Sequence, residues 1–165
     1  MQDLSIYIHW PLCKSKCPYC DFMSIPEHNP NKYEEIEDFL LLDLENSLRE
    51  LENPIIKTIF FGGGTPSLMS VRSIEKMIDF ISRNYRTTSD IEISLEANPA
   101  TFSLQKLKEI KQAGVNRLSL GIQSFLDKNL KFLGRIYDLQ QALKAADMVA
   151  NTFSNYSFDF IYGYQ

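Results

Sequence analysis

The chain has 165 residues, 44 % of them hydrophobic and 23 % charged, with 7 glycines and 7 prolines. These values describe one ordinary globular domain able to bury a core, and they exclude a disordered or collagen-like chain. Twenty-one acidic residues against 17 basic ones leave a net charge of −4, the wrong sign for a protein held to nucleic acid by counterion release.

No stretch reads as an integral membrane segment. The longest apolar run, residues 39–44, is interrupted by Asp43 and falls far short of the roughly 20 residues a spanning helix needs. The N-terminus carries Asp3 and no basic cluster ahead of its short apolar run, so it does not read as a secretory signal. A cytoplasmic, thiol-reducing setting is therefore expected.

Short apolar runs alternate with amphipathic segments along the chain. Residues 4–9, rich in β-branched and aromatic side chains, read as a first strand. A cysteine-bearing loop and a Pro- and Asn-rich stretch at 25–31 follow. The spacing of Tyr33, Ile36, Leu40, Leu44, Leu48 and Leu51 predicts a helix over about 32–52, ended by Pro54. A second strand at 57–61 stops at Gly62, Gly63 and Gly64, and a helix at 73–85 sets Ile74, Met77, Ile78 and Ile81 on one face. After a third strand at 90–95, Ser103 is placed to cap a helix that Gly114 closes. A fourth strand at 117–121 precedes a short helix at 126–133 and a longer one at 138–153. Asp138 and Gln141 suit a capping box there. Residues 157–161 read as a fifth strand. This order predicts an α/β fold with a parallel sheet, either open and doubly wound or a segment of a barrel.

The cysteines carry the chemistry. Cys13, Cys17 and Cys20 are the only three in the chain. An odd number cannot pair off, so a disulfide framework is the wrong reading. They lie on a loop after a strand, where α/β folds keep their sites. A structural zinc site generally needs four ligands. His9 is the available fourth, but its place in the first strand argues that it points away from the loop. Three thiolates fit a [4Fe–4S] cluster better, leaving one iron open to a substrate or cofactor. His28 has no motif around it and is assigned to the surface.

The CxxxCxxC spacing after a first strand, with Tyr19 before the third cysteine, resembles the radical S-adenosylmethionine (SAM) superfamily. The segments SIYIHWPLCKSKCPYCDF, FFGGGTPSLM, EISLEANPATF, RLSLGIQSF, FLGRIYD and FDFIYG are similar to the branch containing oxygen-independent coproporphyrinogen III oxidase and its heme-chaperone relatives. The resemblance runs from about residue 4 to residue 163. It implies a partial (β/α) barrel whose open iron chelates the amino and carboxylate groups of SAM, with an electron from the cluster cleaving the C5′–S bond. It further implies that Gly63, Gly64 and Thr65 hold the SAM amino group. Glu96, Gln123 and Arg135 become polar SAM contacts, Arg135 toward the carboxylate. Tyr7 and Tyr19 become aromatic neighbours. Asp159, set on the face opposite Phe158 and Phe160, turns inward to a ligand. An electron-donor protein, and heme or a porphyrinogen, are the implied partners.

Two departures refine the resemblance. Oxidases of this family tend to carry another cysteine two residues after the third ligand; here that residue is Phe22, as in the heme-chaperone branch. The family core also has about six βα units and a sizeable C-terminal region that carries the heme-binding histidine motif. Five strands are read here, and the chain ends at Tyr164–Gln165. The expectation is a radical SAM core over 1–165 lacking its sixth βα unit, with an exposed barrel edge prone to association. Heme is then expected only with the C-terminal region.

Overall fold

The computed structural model describes residues 2–163; the expectation for Tyr164 and Gln165 lies outside them. Strand β1 (Asp3–Trp10) leads into a cysteine loop bounded by two short strands, β2 (Leu12–Cys13) and β3 (Ile25–Pro26). Helix α1 (Pro30–Arg49), β4 (Ile55–Gly63), α2 (Val71–Asn84), β5 (Arg86–Ala97), α3 (Leu104–Gln112) and β6 (Arg117–Gln123) follow. The chain continues through α4 (Asp127–Phe132) and α5 (Leu139–Thr152) to β7 (Asn155–Phe160). Single 3₁₀ turns at Pro66–Leu68 and Pro99–Thr101 follow β4 and β5.

Among the described residues the main sheet has five strands in the order β1-β4-β5-β6-β7, and every pair is parallel. The spatial order follows the chain without reversal. That rules out the doubly wound alternative, whose order turns back at a switch point. Right-handed crossovers in one direction put all the helices on one face, which is a segment of a barrel.

Strand parity decides what that face contains. Ile8, Phe61, Leu95 and Leu118 are register partners across four strands, and none is more than 5 % exposed. Leu44 and Leu48 of α1, Ile74, Met77 and Ile81 of α2, Leu107 and Ile110 of α3, and Ala142, Ala145 and Val149 of α5 join them in one core. The expected helical faces are the buried ones, except Leu51, which lies beyond α1 and is exposed.

Helix ends follow local chemistry. Ser103 accepts from Lys106 N, and Asp138 and Gln141 form the capping box. Helix α2 has a cap that the sequence did not announce. Glu37 of α1 is buried, and its carboxylate accepts from Ser70 N (2.6 Å), Ser70 Oγ (2.7 Å) and Ser73 Oγ (2.7 Å). A negative charge at a helix N-terminus meets unpaired amides and the positive end of the dipole. Helical spacing alone gives no sign of a buried acid that stabilises a different helix.

Candidate functional site

The opposite face of the sheet carries a different set of side chains. Tyr7 on β1 partners Phe60 on β4, then Ser94 on β5, Arg117 on β6 and Asn155 on β7. Nearer the C-terminal strand ends stand Glu96, Ser119 and Asp159. Among the described residues no helix covers this face, because the crossovers lie on the other side. A cavity of about 390 Å³ opens there. Cys13, Cys17, Tyr19, Cys20, Gly64, Thr65, Glu96, Gln123, Arg135 and Asp159 all line it. Residues far apart in sequence meet because parallel strands deliver their C-terminal ends to one rim. Tyr7 and Gly63 do not line this cavity.

The glycine run turns out to serve the cysteine loop. Gly63 has φ +111°, and a Cβ there would lie 2.7 Å from Trp10 O; at Gly64 it would lie 2.5 Å from Leu12 O. Backbone therefore packs directly on backbone. Gly64 N donates to Trp10 O (2.7 Å), Thr65 N to Leu12 O (2.9 Å) and Gly63 N to the Glu96 carboxylate (3.1 Å). With these three amides engaged, the backbone of the run has only carbonyl oxygens to offer a ligand, which suits an ammonium donor.

Glu96 is half-buried. Burial raises its carboxyl above the ordinary range, the Gly63 amide opposes this, and Asp159 adds to it. Asp159 accepts from Ser119 Oγ at 2.9 Å, and Ser119 meets Ser157 at 3.0 Å. The inward Asp159 is thus exposed to the cavity and hydrogen-bonded, which removes the cost of burying it bare.

Arg135 is held on every side. Nε donates to Tyr137 Oη (2.9 Å), Nη1 to Cys17 Sγ (3.2 Å) and Tyr19 Oη (3.0 Å), and Nη2 to Gly121 O (3.3 Å). These contacts engage one N–H of Nε, two of Nη1 and one of Nη2. One of the five guanidinium N–H groups remains for a ligand. Burial opposes the charge, but Tyr137, Tyr19 and Cys17 outweigh it and raise the Arg135 pKa. Burial pushes the Tyr19 hydroxyl up to about 12, with Cys17 adding to the rise and Arg135 opposing it. The buried Tyr137 also reaches the carbonyls of Gly121 and Ile122, at 2.8 and 2.9 Å. Sequence reading passed over Tyr137, since its role depends on a guanidinium two residues away bending back over it.

Burial raises the Cys13 thiol, against an opposing contact with Ser24. His9 corrects the expectation that it points away from the loop. Its Nε2 donates to Met23 O at 2.8 Å, and its Nδ1 accepts from Tyr7 Oη at 3.1 Å. It reaches the loop, but both ring nitrogens are already engaged, so it is no fourth ligand. His28 is exposed, as expected. Among the described residues no three His, Cys, Asp or Glu side chains are gathered to surround a single metal ion.

A parallel barrel segment with three thiols and polar strand ends on one rim defines a class. The model of the Radical SAM superfamily matches residues 7–165, and the chain belongs to that family. The relatives are more particular. The chain is 39 % identical to the heme chaperone HemW of Escherichia coli (strain K12), over 99 % of its own length and 43 % of that protein. It is 38 % identical to heme chaperone HemW of Bacillus subtilis (strain 168), over 96 % of this chain and 42 % of the relative. The chain therefore spans less than half the length of these relatives. Among solved structures, coproporphyrinogen III oxidase (HemN) from Escherichia coli, a radical SAM enzyme, superposes with a TM-score of 0.88 at 26 % identity. The match covers 98 % of this chain and 38 % of that one. As a group, the family uses SAM and a [4Fe–4S] cluster.

Proposed function

We propose that this chain is the N-terminal radical SAM core of a heme-chaperone-type protein. In this reading Cys13, Cys17 and Cys20 hold a [4Fe–4S] cluster and the cavity beside them holds SAM. The observation that carries it is the convergence of three thiols and the C-terminal ends of β4, β5, β6 and β7 on one cavity. Thiolates are the ligands of iron–sulfur clusters. A cubane sets its three ligands on three different irons, so they need not gather about one point. When bound, the cluster supplies the electron that cleaves a carbon–sulfur bond of SAM.

The chain's own residues bind and orient. Carbonyls of the Gly63–Thr65 run accept from the SAM ammonium. The remaining N–H of Arg135 meets its carboxylate. Glu96, Gln123 and Asp159 offer acceptors to hydroxyl groups, and Tyr7 and Tyr19 flank the site. Heme or a porphyrinogen, an electron-donor protein, a cytoplasmic setting and association through the β7 edge belong to the same proposal. Among the described residues no helix is long and apolar enough to cross a membrane. An oxidase acting on a porphyrinogen is the second reading, favoured by the TM-score of 0.88 and disfavoured by Phe22 in place of a cysteine. A metal-binding remnant without SAM chemistry is the third.

Anaerobic reconstitution with iron and sulfide, reduction, and EPR with and without SAM test the proposal. A [4Fe–4S] signal altered by SAM is expected. A cluster indifferent to SAM supports the remnant, and no cluster at all defeats the proposal. Decarboxylation of a porphyrinogen by the reduced protein would move the reading to the oxidase.

A further inference from the structure

Three consecutive carbonyls follow the third cysteine, and side chains that precede that cysteine hold all three. Lys16 Nζ donates to Phe22 O at 3.0 Å and to Ser24 O at 3.1 Å. His9 Nε2 takes Met23 O between them. Lys16 lies inside the thiol motif, between Cys13 and Cys17. Its side chain therefore closes residues 16–24 into a ring that contains Cys17 and Cys20. Cys13 stands outside the ring but is tied to the same point. Ile25 N donates to Pro11 O and Glu27 N to Cys13 O, both at 2.9 Å. Cys13 Sγ faces Ser24 Oγ at 4.0 Å.

Lysine suits this task. Its ammonium has three donors and no acceptor, on a stem long and flexible enough to reach two carbonyls at once. Lys14, two residues earlier, does something else: its Nζ donates to Ala100 O at 3.1 Å. It docks the loop on the barrel rim without closing it.

We propose that Lys16 is a positioning residue, a latch that closes the cysteine loop before any metal arrives. The proposal extends the cluster reading above, but the latch is a property of the metal-free chain. An open loop must lose conformational freedom to bring three ligands together. A loop already closed gives up less on capture, the general advantage of preorganisation.

The test uses the metal-free protein and chymotrypsin, with cuts after Tyr19 and Phe22 followed by mass spectrometry. Wild type, Lys16→Met, Lys16→Gln, Lys16→Arg and Lys14→Met are compared, each with its thermal unfolding curve. Lys16→Met should be cut about thirtyfold faster at an unchanged melting temperature, the scale of two net hydrogen bonds released in a local opening. Lys16→Gln, able to reach one carbonyl, should fall between. Lys16→Arg should restore the wild-type rate, and Lys14→Met should not change it. Iron uptake on reconstitution should slow in the same order. If Lys16→Met loses its thermal transition, Lys16→Gln carries the comparison. Cutting of the lysine variants at the wild-type rate overturns the latch whatever the cluster does. Faster cutting in a protein that takes up no cluster leaves the latch standing and removes the cluster reading.

Discussion

Across the outer face of the sheet, Ile8, Phe61, Leu95 and Leu118 form a row of buried apolar side chains under the helices. One residue earlier on each strand, Tyr7, Phe60, Ser94 and Arg117 form the matching inner row, which is polar at three of its four positions, Phe60 being the exception. The same backbone and the same hydrogen-bond ladder carry both. The difference lies only in parity, since successive side chains point to opposite faces. Folding energy and site chemistry are thus separated by one residue along every strand, and a substitution on one face should leave the other largely alone.

The largest effect expected from breaking this separation is at the rim. Cys17→Ser should abolish cluster capture, read as loss of iron and of the cluster EPR signal, while the melting temperature of the metal-free chain stays put. A large fall in melting temperature would show the loop to be part of the core. Next comes the outer face. Leu118→Ala should cost about 3 kcal/mol, as buried large-to-small changes do, whereas Ser119→Ala should cost under about 1 kcal/mol. Urea unfolding of the pair measures both, and similar values would dissolve the distinction between faces.

A smaller effect is expected where the two helices meet. Glu37→Ala should destabilise by about 2 kcal/mol, because three donors at the start of α2 lose a charged acceptor. A loss near zero by urea unfolding would mean that water replaces the carboxylate without cost.

The smallest effect is a pH dependence on the inner face. The Glu96 carboxyl is raised, mainly by burial, so the folded state holds that proton more firmly than the unfolded chain. Its contribution favours folding below the ordinary carboxylate range and is lost as pH rises through the folded value. Glu96→Gln should therefore flatten the decline in stability from acid to neutral pH, and it should weaken SAM binding by calorimetry. Parallel stability curves for the two proteins would remove Glu96 as the buried acid of the site.

Much of this was legible in the residue order. Alternating periods announced the strands and helices, because burial on one side imposes a period of 2 on a strand and 3.6 on a helix. Ser103, Asp138 and Gln141 announced their own caps, since capping is local chemistry. The cysteine spacing announced that three thiols would share one loop, since they lie within eight residues of one another. Strand boundaries were less legible. β5 begins at Arg86 instead of near residue 90, and β6 runs on to Gln123, because ladder pairing with a neighbouring strand extends elements beyond what local pattern supports.

Tertiary structure decided the rest. Whether the sheet was doubly wound or a barrel segment depended on which strand pairs with which, and βα alternation permits both. Pairing also set the glycine run backbone-to-backbone against Trp10 and Leu12, brought His9 to the loop, and wrapped Arg135 around Cys17, Tyr19 and Tyr137. Each of these contacts joins segments remote in sequence or depends on where a side chain bends. Local propensity and spacing act over a few residues, so they specify elements and caps. Which side chains share a hydrogen bond across the rim is settled only when the strands pack.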